Sequence, residues 1–243
     1  MTDLSRASPM RPLRERPFFL LLAVMLVFVV VYPVLHESVG SQTLFDAFRT
    51  AVLVAALRVI FAGRRRVAAG AALAAVLVPA IWIGHAFPGA VPLPVVFALH
   101  VLGLAFFGLA VASILWTVYQ SSAVSADGVA GALCAYLLLG VVFSHGYWLI
   151  EAAAPGSFRG IGESEAELAD PRHSQIVLQY FSFVTLASVG ANDVTPVRAA
   201  ARGLTVLEAI CGQFFVAVLI ADLIGKKLAG PREGSAGANT DPR

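Results

Sequence analysis

The stretch Gln175–Asp193 reads QIVLQYFSFVTLASVGAND. Up to Leu186 it is apolar, yet too short to cross a bilayer, which takes about 20 residues. It lies between two segments that are long enough. It leaves through the small, polar run Ser188-Val189-Gly190-Ala191-Asn192-Asp193, just before Pro196. A short helix that enters a membrane and returns as extended chain leaves bare N–H and C=O groups at depth. Lipid cannot satisfy them, so such backbone persists only where protein buries it or where it lines water. The stretch therefore predicts a re-entrant pore loop.

The chain around it has the composition of a membrane protein. Of 243 residues, 58% are hydrophobic and 13% charged, and the mean hydropathy is +0.81. Soluble domains carry about 25% charged residues. A net charge of +2 is too small to point to nucleic acid. Residues 1–16 form a basic tail rich in Pro and Ser. Helices are expected at 18–35, 44–62 and 67–84, then from Pro92 and Pro94 to Tyr119, at 128–150 with Asp127 as N-cap, and at 200–225. The apolar run 18–35 is too long for the core of a signal peptide and is read as an uncleaved first span. The fold class is all-α, with six transmembrane helices and the re-entrant pore helix and filter between the fifth and sixth. Residues 17–119 make a four-helix membrane domain, 120–228 the pore domain, and 229–243 a short tail with no room for a nucleotide- or calcium-binding domain.

The N-terminal arginines, Arg64-Arg65-Arg66 and Lys226-Lys227 fall on one side when six helices are counted. The positive-inside bias makes that side the cytoplasm, with both termini inside and the loop entering from outside. The expected location is the inner (plasma) membrane, with lipid as a partner. Arg198 and Arg202 fall on the outer side, where pairing with carboxylates at a pore mouth accounts for them.

TLASVGAND resembles the potassium-channel motif TLTTVGYGD, with Ser188, Val189, Gly190 and Asp193 in register. The flanks YFSFVTL and DVTPVRAAARGLTVLEAICGQFFVAVLIADLIG resemble the pore helix, outer mouth and inner helix of bacterial two-helix-pore potassium channels. The resemblance covers residues 128–228 and departs at Ala191, where the family has Tyr, and at Asn192, where it has Gly. It implies a homotetramer around a central pore, because one chain supplies one loop. The permeant species is K⁺ or another monovalent cation, with no cofactor and no enzymatic activity.

The filter residues are then Ser188, Val189, Gly190, Ala191, Asn192 and Asp193. Carbonyls from this run, with the Ser188 hydroxyl, replace a cation's hydration shell. A pore helix entering from outside aims its partly negative C-terminal end at the cavity. Asp193 either rings the outer mouth with carboxylates or bonds to Tyr180, or does both. Val184 stands where some relatives carry a buried carboxylate. Glu208, within the last helix, needs a partner or water, and an interhelical hydrogen bond is its expected role. Gly212 is a gating hinge or a close-packing glycine. Asp222 either rings the inner mouth or ends a solvated helix.

Other chemistry finds little support. Residues 91–118 carry no Arg or Lys, so the four leading helices hold no voltage-sensing ladder. His36, His85, His100 and His145 form no ligand pair on a single helix. Cys134 and Cys211 lie in apolar helices and read as packing residues. No serine-nucleophile elbow, phosphate-binding loop or HExxH metal motif occurs. Two readings compete with the channel: a non-conducting, channel-shaped scaffold or modulatory subunit, and more distantly a haem or redox protein.

Overall fold

The computed structural model describes residues 17–35, 41–60, 64–87, 91–121, 124–162, 171–190 and 193–228. Four helices come first: α1 (Pro17–Leu35), α2 (Ser41–Ile60), α3 (Arg64–Ala86) and α4 (Leu93–Gln120). Then follow α5 (Ala126–Ala153), β1 (Phe158–Arg159), α6 (Pro171–Leu186), β2 (Thr195–Pro196) and α7 (Ala199–Leu228). Helices α4, α5 and α7 are long and apolar enough to cross a membrane. Among the described residues, Phe18–Val29 of α1 and Gly70–Gly84 of α3 are shorter apolar stretches.

Several ends differ from the sequence expectation. The N-cap of α5 is Ser125, whose hydroxyl accepts from Gly128 N at 2.9 Å; Asp127, expected in that role, lies in the first turn. Serine and aspartate serve equally well as caps, and the helix starts at Ala126, one residue before Asp127. Helix α6 begins at Pro171, four residues before Gln175, with proline in the first turn where its missing N–H costs nothing.

Helix α5 is the hub, packing on α1, α4, α6 and α7. One apolar cluster joins its N-terminal half to the leading helices through Leu21, Leu53, Ala56, Phe106, Ala110, Ile114 and Leu138. Cys134 is buried there, its thiol donating to the Phe18 carbonyl at 3.4 Å, and is not in a disulfide. A second cluster holds the far end of α5 against β1, α6 and α7. Tyr147, Phe158 and Phe181 stand edge to face in it, with centroids 5.2–5.7 Å apart. Such rings add about 0.5–1.5 kcal/mol per pair beyond burial. This second cluster seats the middle of α6 through Leu178 and Phe181.

Candidate functional site: the end of α6 and the run after it

The chain does not pass straight from α6 into extended backbone. Ser188 N donates to Thr185 O at 2.9 Å and Val189 N to Val184 O at 3.0 Å, while Ser188 takes φ 55°. Together these make a Schellman motif, with Ser188 in the left-handed position that glycine usually fills. That conformation costs an L-residue about 1–2 kcal/mol. Gly190 follows at φ 77°, and Val189 between them keeps an ordinary φ. Nothing in the sequence marks Ser188 for this role. Ala191 and Asn192 lie outside the described residues.

Both flanking helices hold this helix end. The Tyr136 hydroxyl of α5 donates to Leu186 O at 3.0 Å, satisfying one of the carbonyls a helix C-terminus leaves open. From α7, Gln213 Nε2 donates to the Ser188 hydroxyl at 2.9 Å. Its neighbour Gly212 lies so close that a Cβ there would sit 2.2 Å from Leu186 O. The close approach accounts for this glycine, and of its two expected roles packing is the one with a visible cause. The sequence reading passed over Tyr136 and Gln213. A polar side chain within an apolar helix, one residue past Gly212, was the available signal.

At the other end of the run, the Asp193 carboxylate accepts from Val194 N at 3.0 Å and shares a hydrogen bond with the Tyr180 hydroxyl of α6. Gly160, at φ 85°, presses on the Asp193 carbonyl, and a Cβ would come within 1.9 Å of it. The pairing of β1 with β2, Phe158 opposite Pro196, seats the outer loop there. Glu151 closes the turn after α5, its two oxygens accepting from Gly156 N at 2.7 Å and Phe158 N at 3.0 Å. Arg198 and Arg202 donate to the carbonyls of Pro155 and Pro196. These are their partners among the described residues; the acidic residues Glu163, Glu165, Glu167 and Asp170 of the same loop lie outside them.

Glu208 is fully buried among the helices. Tyr147 of α5 donates to its Oε2, and its Oε1 bonds the Ser182 hydroxyl of α6. The interhelical role expected of it is thus met on two helices. Asp222 pairs with Lys226 at 2.8 Å, and Lys226 also reaches Val118 O on α4 at 3.0 Å. Asp222 is thus tied into the last turn of α7 through an i,i+4 ion pair.

Behind the run lies a largely apolar cavity of about 570 Å³, lined among others by Phe28, Phe45, Tyr180, Val184, Val189 and Asp193. Further along α5, His145 donates through Nδ1 to Val141 O at 2.8 Å, and His100 does the same to Val96 O at 2.9 Å. The His100 ring stacks on Trp148 at 3.6 Å. No cluster of three or more metal-ligating side chains occurs among the described residues. His36 and the side chain of His85 lie outside them.

Residues 169–226, which take in α6, the run after it and nearly all of α7, match a family model described as "Ion channel". A curated relative, "Two pore potassium channel c" of Oryza sativa subsp. japonica, is 33% identical over 92 residues, 38% of this chain and 17% of the relative. The chain thus spans under a fifth of the length of that relative. No solved structure matches. The matched segment is similar to an ion-channel pore. With α7 inside it and α4 and α5 before it, all three long and apolar enough to cross a membrane, it marks the chain as a multi-pass membrane protein.

Proposed function

We propose that the chain is one subunit of a homotetrameric, potassium-channel-like channel for monovalent cations, with a weakened preference for K⁺ over Na⁺. It is no enzyme and needs no cofactor. In this reading six helices cross the inner (plasma) membrane with both termini in the cytoplasm, and α6 enters from outside as a re-entrant pore helix. The observation that carries it is the end of α6. A helix too short to span stops in a Schellman turn, and Ser188, Val189 and Gly190 leave it with φ positive, ordinary and positive. The run is held from both sides by Tyr136 and Gln213. Four such runs around an axis supply rings of oxygens that replace a cation's water, and the negative ends of four helices favour the charge.

Selectivity is argued from the two altered positions. In the family this segment resembles, a tyrosine at the position of Ala191 braces the filter. Loss of a buried aromatic costs about 3–5 kcal/mol when nothing refills the space. The cavity lined by Val189 and Asp193, each two residues from that position, is unfilled space of this kind within one subunit. The inner sites at Ser188, Val189 and Gly190 remain while the outer ones loosen. Bi-ionic reversal potentials in liposomes test this on the native chain and on Ala191→Tyr/Asn192→Gly. The double variant is expected to discriminate against Na⁺ more strongly. Equal discrimination removes the argument from the missing ring. A native chain that passes no ion in tetrameric form points instead to the non-conducting scaffold.

A further inference from the structure

Behind the end of α6, oxygen groups from three helices meet where no side chain is exposed, and their protons can be counted. Tyr147, Ser182 and Glu208 are each fully buried. Ser182 has one hydroxyl proton, and its oxygen lies against two others: the Gly140 carbonyl of α5 at 2.6 Å and Glu208 Oε1. A carbonyl has no proton to give. Two oxygens this close repel unless one lies between them, so the Ser182 proton goes to Gly140. Toward Glu208, Ser182 is then left only as an acceptor, and that contact requires a proton on Oε1. On the other side the Tyr147 phenol donates to Oε2. The titratable groups facing Glu208 are the phenols of Tyr147 and Tyr136, both on α5. From α6 it meets a hydroxyl, and no Arg or Lys bonds to it among the described residues.

We propose that Glu208 is a neutral carboxylic acid that latches α5, α6 and α7 together, and that it is a positioning residue for the run Ser188–Gly190. The chain of donors runs Tyr147 to Glu208, Glu208 to Ser182, and Ser182 to Gly140, with each oxygen satisfied and no net charge buried. Ser182 stands one helical turn before Leu186, whose carbonyl is gripped by Tyr136 and crowded by Gly212. Holding Ser182 therefore holds the turn from which the run departs. The latch stands on geometry alone, while its bearing on ion selection rests on the channel reading above.

The test uses the whole chain in liposomes at neutral pH. Glu208→Gln keeps a donor for Ser182 and an acceptor for Tyr147; Glu208→Ala removes both. In the infrared difference between wild type and Glu208→Gln, a carboxylic-acid C=O band that shifts in D₂O is expected, without carboxylate bands. Hydrogen exchange of peptides covering 184–190 should match wild type in Glu208→Gln and be faster in Glu208→Ala. Melting should stay unchanged in the first variant and fall by several degrees in the second. Carboxylate bands in the difference spectrum overturn the neutral acid. Unchanged exchange in Glu208→Ala overturns the positioning role. Should Glu208→Ala not fold, Ser182→Ala breaks the same relay and is read by the same exchange. These readouts do not need conduction, so a silent channel counts against the channel reading and still leaves the latch decided.

Discussion

At the scale of single residues, two glycines of α7 separate packing from flexibility. A Cβ at Gly212 would sit 2.2 Å from the Leu186 carbonyl and 3.1 Å from its carbon, backbone atoms that cannot swing aside. Overpacking of this kind costs about 1–3 kcal/mol. At Gly225 nothing lies within 4 Å, and alanine there gains up to about 1 kcal/mol of helix propensity. Thermal melts of the two variants are expected to move in opposite directions, Gly212→Ala downward. If Gly212→Ala melts like wild type, close approach does not explain that glycine. Glu151 is the second case. Its carboxylate satisfies two N–H groups of the turn that follows α5, and bonds to a charged acceptor contribute about 1.5–3 kcal/mol each. Partial exposure lowers that figure. Glu151→Ala is expected to lower the melting temperature and to speed proteolysis within residues 154–162, whereas an unchanged cleavage rate would remove Glu151 as the clamp of that loop.

Among the elements, α4 and α7 carry opposite lessons about charge. Helix α4 has no Arg or Lys along Leu93–Gln120. Each elementary charge crossing the membrane couples about 2.3 kcal/mol per 100 mV, so a helix without charge couples nothing. In the proposed channel, current is expected to rise shallowly with voltage, and steep activation over tens of millivolts without a blocker would locate gating charge elsewhere. Helix α7 does carry charge at its C-terminal end, where Lys226 draws Asp222 and the last turn of α4 together. Lysine near a helix C-terminus also meets the negative end of the dipole. This lysine thus stabilises two helix ends.

For the whole molecule, the unequal burial of the apolar helices bears on assembly. Within the chain 44% of the α5 span is buried but only 11% of the α7 span. Val206, Leu207, Ile210, Phe214 and Ile220 stand exposed along α7. Lipid covers such a face as readily as protein does, so exposure alone does not call for a partner. A single run of oxygens cannot enclose an ion, however, and four can. Native mass measurement in mild detergent is expected to give the mass of four chains. A monodisperse monomer or dimer in lipid-like conditions would end the pore reading.

The sequence by itself determined the helical class, the short helix before SVGAND, the expected packing of Cys134 and the need of Glu208 for a partner. Hydrophobic run lengths, and the cost of a charge in an apolar helix, are local properties that each stretch displays alone. It did not determine that Ser188 takes a left-handed turn, that Gly212 abuts Leu186 O, or that Asp222 pairs with Lys226. Nor did it show that Arg198 and Arg202 would find backbone carbonyls. These depend on which atoms of other helices arrive at the same place, and contacts such as Tyr136 to Leu186, 50 residues apart, leave no periodic mark in the chain. Only the tertiary structure decided them, because only packing brings a carbonyl of α6 between α5 and α7.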